Sequence, residues 1–276
     1  MRRRQWLEIH EQPWFPKTLR DLTTDTLQFV WNFFGFYDPV VPALRDALQQ
    51  AGTDRVLDLC SGGGGPWLRL VRRFEKLASF PLEVQLTDRF PNPEAPQQIE
   101  DGRHSRVLFL TQPVDATQVP ADLPGFRTLF TSFHHFVPED ARAILRDAVD
   151  RRQGVAVFEV PKRNGPTILF ALFMPLAAFA LGPFIRPFRW SRILWTYLLP
   201  VIPFVVWFDG VVSCLRAYTP SELDALTKGL SVNGYRWESG EMQRGRIPVK
   251  ITYLIGHPQA GKSASESPEL LQQTAV

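Results

Sequence analysis

The sequence predicts an α/β fold in which helices cover both faces of a doubly wound, mostly parallel sheet. Three observations predict it. A short apolar run, a glycine-rich turn and a helix start follow one another within residues 55–69. Strand-like and helix-like segments alternate from Val56 onward, which is the order of parallel strands joined by crossover helices. Two strand-like runs, YRWESGEM and VKITYLIG, end the pattern like a hairpin.

Composition limits the broad class of the protein. With 276 residues, 45% of them apolar, the chain can form one large domain with an insertion, or two small domains. The net charge of +3 is small, and the arginines of the chain form several small, separate clusters, so we expect no nucleic-acid partner. Cys60 and Cys214 form neither a disulfide framework nor a zinc-site pattern, which predicts a reducing cytoplasm and no metal. The start MRRRQWLEIHEQPW is basic but lacks an apolar core, so it predicts no secretory signal.

The first 50 residues predict aromatic-rich helices. Apolar side chains fall at helical spacing in the first of them: Leu27, Val30, Trp31 and Phe34. Pro39 and Pro42 then start a second helix, which ends at Gly52. These helices either cover a ligand site or are ordinary core helices.

The glycine-rich turn is the most informative motif. The run from Val56 to Leu59 suits a buried parallel strand, and Gly62–Gly65 let the backbone N–H groups approach a ligand. Pro66 suits the first turn of the following helix. Such an arrangement places a binding site at the carboxyl edge of the sheet. A plain tight turn is the alternative, and a nicotinamide fingerprint fits poorly because its third glycine would fall at Trp67.

The segment DLCSGGGG resembles motif I of class I S-adenosylmethionine (SAM) methyltransferases, D-x-G-x-G-x-G. Asp58, Gly62 and Gly64 match the motif, and Cys60 stands in place of its first glycine. The resemblance implies a Rossmann-like sheet of seven strands with an antiparallel last strand, and SAM as the cofactor. It also implies that the helices before the first strand cover that cofactor.

The remaining elements follow in order. The predicted second to fifth strands are LEVQLTD, RVLFLTQ, RTLFTSFHHF and GVAVFEV. TPSELDALTKGL predicts a helix with a capping box, in which Thr219 caps, Pro220 takes the first turn and Glu222 bonds back.

The resemblance assigns cofactor roles to acidic residues that follow the strands. It implies that Asp88 accepts from the two ribose hydroxyls, since a carboxylate offers two acceptor oxygens. Asp115, with Ala116, resembles the acidic position that accepts from the adenine amino group, and Asp58 would meet the amino-acid arm through water or directly. Asp88 and Asp115 each have a turn or capping role as the alternative. The expected cofactor-binding set is Asp58, Cys60, Gly62, Gly64, Asp88, Asp115, Ala116 and Ser132.

The segment SFHHF resembles the "LHH" segment of small-molecule methyltransferases and not the Asn/Asp-Pro-Pro-aromatic motif of nucleobase enzymes. His134 and His135 are candidate general bases, because imidazole titrates near neutral pH. Alternatively, one of them packs beneath the cofactor and the other bonds to the backbone. Methyl transfer from a sulfonium does not require a base, since proximity alone supplies up to roughly 7–11 kcal/mol.

A hydrophobic insertion separates the fifth strand from the capping-box helix. Residues 164–185 and 193–208 carry no charged side chain, and they are interrupted by Pro175, Pro183, Pro200 and Pro203. We predict a shallow hairpin in one membrane leaflet, with head-group contacts from Arg186, Arg189, Arg192, Trp190 and Trp195, and a positive flank at Lys162 and Arg163. A soluble lid is the alternative. After the insertion, the candidates for substrate contact, or for a structural role, are Asp209, Arg216 and Tyr218.

The sequence thus predicts a helical cover (residues 1–50), a SAM-binding domain (51–164 and 210–257), the insertion (165–209) and a disordered tail (258–276). The predicted function is SAM-dependent methylation of a small hydrophobic or lipid-like acceptor, by O-methylation, at the cytoplasmic membrane surface through residues 165–208. A non-catalytic, membrane-associated interaction module of the same fold is the competing hypothesis. A nicotinamide oxidoreductase would need a catalytic Tyr/Lys pair that we do not find.

Overall fold

The computed structural model describes residues 1–78, 80–92, 106–230, 234–243 and 250–259. Within them a seven-stranded sheet has the order β3-β2-β1-β4-β5-β7-β6. The first five strands are mutually parallel, and β7 runs antiparallel between β5 and β6. The predicted fold class, including its antiparallel last strand, is therefore confirmed. The strands are β1 (Arg55–Asp58), β2 (Glu83–Leu86), β3 (Val107–Phe109), β4 (Phe126–Phe130), β5 (Val155–Glu159), β6 (Tyr235–Gln243) and β7 (Lys250–Pro258).

Helices cover both faces of this sheet and extend above its carboxyl edge. They are α1 (Lys17–Phe34), α2 (Val41–Ala51), α3 (Trp67–Ala78), α4 (Pro138–Asp150), α5 (Gly165–Leu181), α6 (Trp190–Ile193), α7 (Val201–Arg216) and α8 (Pro220–Thr227). Helix α2 ends at Gly52 in a left-handed conformation, and α8 begins with the complete Thr219–Glu222 capping box. Both helix signals are where the sequence places them.

Two hydrophobic cores lie on opposite faces of the sheet. Side chains of α2 and α3, such as Leu44 and Trp67, pack on one face together with Phe158. Side chains of α4 and α8, such as Ile144 and Leu223, pack on the other. A third cluster joins α1, α5 and α7 through Leu22, Met174, Val206 and their neighbours. The hydrophobic insertion is therefore packed against the N-terminal helix above the carboxyl edge of the sheet.

The structure corrects two local predictions. Residues 1–16 form no regular helix, because this segment is held by contacts to other elements: the Asp209 carboxylate accepts from the N–H groups of Ile9 and His10 at 2.7 and 3.0 Å. The fourth strand ends at Phe130 and does not run through SFHHF. Thr131 has a φ of 46°, which breaks the extended backbone, and Phe133–His135 form a 3₁₀ turn.

The two apolar runs of the insertion fold differently from each other. Residues Gly165–Phe184 form a helical stretch with a mean hydropathy of 2.0, and its length and composition would allow it to cross a membrane. Only 28% of this stretch is buried inside the protein. The second apolar run is bent by 70° between Trp190–Leu198 and α7. Helix α7 is a core helix, because its Asp209 and Arg216 are buried against the rest of the domain.

Most of the side chains that were expected to contact lipid head groups instead contact other parts of the protein. Arg192 is buried and donates to Asp25 at 3.0 Å, and Arg189 lies 3.9 Å from the same carboxylate. Trp195 packs into the helical layer. The positive flank is likewise paired, Lys162 with Glu241 and Arg163 with Glu222. Arg186 and Trp190 remain exposed. Of the expected disordered tail, residues 260–276 lie outside the described residues.

Candidate functional site

The glycine-rich turn is held between the ends of β1 and β2. Ser61 donates its N–H to the carbonyl of Thr87 at 2.9 Å, and Gly62 donates to the Asp88 carboxylate at 2.7 Å. Cys60 has a φ of 59°, in the left-handed region that favours glycine. This backbone conformation explains why the motif has a glycine at this position, and Cys60 adopts the same conformation with backbone strain.

Asp58 lies beneath the turn. Its side chain is buried, and it accepts from the hydroxyls of Ser61 and Thr128, each at 2.6 Å. Burial raises the pKa of this carboxyl to about 6, although the two hydroxyl bonds partly oppose the effect. Asp58 is not among the described residues that line the cavity above, so its contacts brace the turn.

Asp88 lies at the carboxyl end of β2 and lines that cavity. One carboxylate oxygen accepts from Gly62 and the other from the N–H of Phe90, both at 2.7 Å. The walls of the cavity keep solvent from this carboxyl and raise its pKa, which the two N–H bonds partly counter. Each oxygen accepts one bond and has further acceptor capacity. Asp88 can therefore bind two neighbouring hydroxyls while it holds the turn.

Asp115 and Ala116 form the adjacent wall. Asp115 accepts from the backbone N–H and the hydroxyl of Thr117 at 2.9 and 2.6 Å, which is the turn role that the sequence left open. Burial raises its pKa, but the Thr117 bonds outweigh this and the net pKa is lowered. Its second oxygen, 4.0 Å from the Arg89 guanidinium, has room for another donor. Ala116 is buried and lines the cavity beside it.

The cavity at this edge has a volume of about 440 Å³. Cys60, Gly62 and Ser132 also line it, whereas Gly64 is not among the described lining residues, and a Cβ added to it would meet Gln28 and Leu86. One face of α1 forms the opposite wall, with side chains at helical spacing: Arg20, Thr24, Leu27, Gln28 and Trp31. A Cβ added to Gly63 would lie 3.3 Å from the Asp25 carboxylate, so the turn and α1 are tightly packed there and a side chain would require a small shift.

The two histidines occupy different environments. His134 is fully buried, and its Nδ1 lies 2.7 Å from Glu159 Oε2. His135 lines the large cavity, with Nδ1 3.0 Å from Glu11 and Nε2 3.3 Å from Glu8. Burial lowers the pKa of His135, but Glu11 and Glu8 outweigh this and raise it to about 10. The two carboxylates thus favour the protonated form of the His135 ring.

A second, apolar cavity of about 90 Å³ adjoins the first. Five residues line both cavities: His10, Leu27, Trp31, Thr131 and His135. Its far wall belongs to the insertion, through Phe170 and Met174 of α5 and Val206 of α7. The hydrophobic insertion thus builds an apolar chamber directly beside the cavity of the glycine-rich turn.

The three candidates for substrate contact have structural partners. Asp209 lines the apolar cavity but binds the N-terminal segment, including the His10 ring at 2.7 Å. Arg216 donates to the carbonyls of His134 and His135 at 3.2 and 2.6 Å. Tyr218 donates to the carbonyl of Phe136 at 2.8 Å. The last two shape the SFHHF turn and do not line either cavity in the described part of the chain.

Sequence reasoning missed the contribution of the N-terminal segment. Glu8 is fully buried against both histidines, and Glu11 lines the large cavity. The available signal was LEIHEQPW, where acidic residues and a histidine stand inside an aromatic-rich stretch. Without the fold, nothing in the sequence indicates that this segment meets residues more than a hundred positions away.

No family model matches the chain, and no curated protein matches it. Solved structures do. Human N-acetylserotonin methyltransferase in complex with SAM is 16% identical over 88% of this chain and 57% of its own, with a TM-score of 0.50. A SAM-dependent methyltransferase from Aquifex aeolicus is 14% identical over 85% of this chain and 97% of its own, with a TM-score of 0.45. The mitomycin 7-O-methyltransferase MmcR is 16% identical over 86% and 53%, with a TM-score of 0.44.

The chain thus spans little more than half the length of the human enzyme. The likeness to that enzyme, together with the strand order, shows that this protein has the fold of class I SAM-dependent methyltransferases.

Proposed function

We propose that this protein is a SAM-dependent methyltransferase that methylates an oxygen of a small hydrophobic acceptor at a membrane surface. One observation carries the proposal: the cavity of the glycine-rich turn opens beside an apolar chamber, and His135 lines both. A polar cofactor and an apolar acceptor would meet at that boundary.

The polar groups that line the large cavity fit SAM. Asp88 offers acceptor oxygens for a ribose diol, and Asp115 offers an acceptor for an adenine beside the apolar side chain of Ala116. The glycine turn, with Ser132 across the cavity, faces the space left for the amino-acid arm. Asp58 contributes by bracing the turn. The cavity of about 440 Å³ falls in the size range of small-molecule sites.

The residues act by orientation and by exclusion of water. When bound, SAM supplies an electrophilic methyl group on a sulfonium. Phe170 and Met174 would hold the acceptor's apolar part and keep water away from its oxygen. His135 lines both cavities, so it would lie beside that oxygen at their boundary. Orientation of the two reactants, and not proton removal, is the main contribution.

Calorimetry tests the cofactor part of the proposal. SAM should bind the intact chain, and Asp88→Ala should weaken it at least about 100-fold, since two hydrogen bonds to a charged group are worth about 3 kcal/mol together. Asp122→Ala removes an exposed carboxylate elsewhere on the surface and is the matched control. No binding heat with the intact chain would contradict the enzyme hypothesis and favour the non-catalytic interaction module.

A transfer assay tests the acceptor part. Tritiated SAM is incubated with the protein and a membrane lipid extract, and label is counted in the organic phase. We expect label there with the intact chain and none with Asp88→Ala, and an O-methyl resonance in the isolated product. Label confined to protein or to water-soluble material would contradict a hydrophobic acceptor.

The outer surface of the insertion supports membrane association. Large apolar side chains on α5 and on the segment up to α7 are exposed, and Trp190 and Leu198 are exposed by 79% and 74%. Soluble proteins rarely expose extended apolar patches without a partner. Exposed Arg186 lies in the same segment and would favour anionic head groups. Because α7 is held in the core, the contact with the membrane would be shallow and formed by the outer face of the insertion.

Vesicle flotation tests the membrane part. We expect the protein to float with vesicles of phosphatidylethanolamine and phosphatidylglycerol, and Trp190→Ser and Leu198→Ser each to weaken binding about tenfold, a loss of about 1.4 kcal/mol of apolar burial. Leu108→Ser is the matched control, since Leu108 is 66% exposed on β3, away from the insertion. Equal flotation of all three variants, or none of the intact chain, would contradict the membrane hypothesis and favour a soluble lid.

A further inference from the structure

We propose that Glu8, His134 and His135 form a binding site for one divalent transition-metal ion at the boundary of the two cavities. Ligand atoms from the three residues all lie within 4.8 Å of one another. His134 Nε2 lies 3.4 Å from Glu8 Oε1, and His135 Nε2 lies 3.3 Å from Glu8 Oε2. Both imidazoles therefore direct the same ring nitrogen toward one carboxylate.

The other nitrogen of each ring already faces a carboxylate. His134 Nδ1 lies 2.7 Å from Glu159, and His135 Nδ1 lies 3.0 Å from Glu11. Glu159 is fixed in turn, because its Oε1 accepts from the N–H groups of Ser132 and Phe133 at 3.0 and 2.6 Å. A carboxylate that receives the Nδ1 proton, as Glu159 can from His134, sets the tautomer in which Nε2 has a free lone pair, which is the usual support of a metal-binding histidine.

Two atoms at the centre of the cluster lack hydrogen bonds. Among the described residues, His134 Nε2 and Glu8 Oε2 are buried and make none. Buried polar atoms normally have a partner, so each such atom requires an explanation. One ion between them would coordinate both.

The charges around the cluster also favour a cation. Glu8, Glu11 and Glu159 bring three carboxylates to the two rings, and Asp209 faces the neighbouring His10 ring. Two guanidiniums oppose them: Arg216, 2.8 Å from Glu11 and 3.4 Å from Glu8, and Arg3, which donates to the carbonyls of His134 and Phe136. The carboxylates therefore outnumber the guanidiniums at the cluster, which favours a cation between them.

Two imidazoles and a carboxylate are a ligand set that suits Zn²⁺ and its first-row neighbours, with at least one position open for a further ligand. All three residues line the apolar cavity, and His135 lines the cofactor cavity as well. An acceptor oxygen in that open position would lose its proton more easily, because a bound cation lowers the pKa of its ligands. This role rests on the proposed function, whereas metal binding does not.

Titration with Co²⁺, which reports its coordination by visible absorption, tests the site. The full chain, expressed without a polyhistidine tag and stripped with a chelator, should bind one equivalent of Co²⁺ and release it to Zn²⁺. Glu8→Gln and His135→Gln should each weaken binding at least tenfold, and Glu159→Gln, which acts through His134, should weaken it 10- to 100-fold. His257→Gln changes a distant histidine on β7 and should have no effect.

The same samples are titrated with SAM and examined by circular dichroism, which separates loss of the metal ligand from loss of the fold. Should Glu8→Gln fail to fold, Glu159→Gln carries the test. Absence of stoichiometric Co²⁺ binding to the intact chain, or binding that a folded Glu8→Gln or Glu159→Gln variant retains in full, would overturn the site. SAM binding without Co²⁺ binding would refute the metal site and leave the proposed function standing. Co²⁺ binding without SAM binding would support the metal site and contradict the proposed function.

Discussion

Asp58→Asn gives the sharpest prediction, because this carboxyl is buried beneath the cofactor turn with a pKa of about 6. An ordinary aspartate in the unfolded chain titrates near a pKa of about 4. The folded protein therefore binds the Asp58 proton more tightly than the unfolded chain does. Stability contributed by this proton is complete below about pH 4 and decreases as the pH rises toward 6. Because one pH unit corresponds to about 1.4 kcal/mol, the loss is about 3 kcal/mol at neutral pH.

Asparagine keeps the shape and an acceptor oxygen for Ser61 or Thr128 but carries no charge. We expect the free energy of unfolding of Asp58→Asn, relative to the unsubstituted protein, to increase by about 3 kcal/mol between pH 4 and pH 7. Urea denaturation followed by circular dichroism at several pH values measures it. Asp122→Asn, on the exposed surface, is the control and should show a constant difference. Parallel pH profiles for Asp58→Asn and the unsubstituted protein would refute the argument.

Three further predictions concern the turn, a helix cap and the N-terminal segment. In urea denaturation, Cys60→Gly should be more stable than Cys60→Ala by about 0.5–1 kcal/mol. The left-handed backbone costs an alanine about 1–2 kcal/mol, and the larger chain entropy that glycine loses on folding offsets about half of this difference. Ala225→Gly lies in an exposed helix and should instead destabilise the protein by about 1 kcal/mol, so a glycine variant that is more stable than the alanine variant at both positions would contradict the reasoning. Thr219→Ala removes the cap of α8 and should lower the free energy of unfolding by about 1 kcal/mol, whereas an unchanged value would show that the Glu222 side chain suffices. Asp209→Asn should speed proteolysis within residues 1–16 and weaken SAM binding several-fold, because the side chain that binds Ile9 and His10 loses its charge. Cleavage at the rate of the unsubstituted protein would show that Asp209 does not hold this segment.

Local patterns explain why so much of the fold could be predicted. The strand–turn–helix run at residues 55–69 requires a buried strand, backbone approach and a first-turn proline, and each requirement selects particular residue types. The capping box at Thr219 and the end of α2 at Gly52 are likewise set within a few residues. The strand of SFHHF was wrong for a local reason that composition does not show, the positive φ of Thr131.

Long-range contacts explain what could not be predicted. Arg192 was expected at the head groups because it is charged and lies between two apolar runs, yet Asp25, 167 positions earlier, holds it in the interior. Glu8 was not expected in the site at all, since nothing in a sequence states which distant segments meet. The sequence predicted no metal, and the proposed site was missed for the same reason: the two histidines are adjacent in sequence, but the proposed third ligand is 126 positions before the first of them.

The sequence by itself determined the class of the fold, the order of its main elements and the carboxyl edge at which a nucleotide-like cofactor would bind. These depend on side-chain periodicity and turn chemistry, which act over a few residues. Only the tertiary structure decided that Asp58 braces the turn, that α7 belongs to the core, and that Glu8 joins His134 and His135 between two cavities. These depend on packing between segments far apart in the chain, where burial and charge pairing select partners that local patterns do not specify.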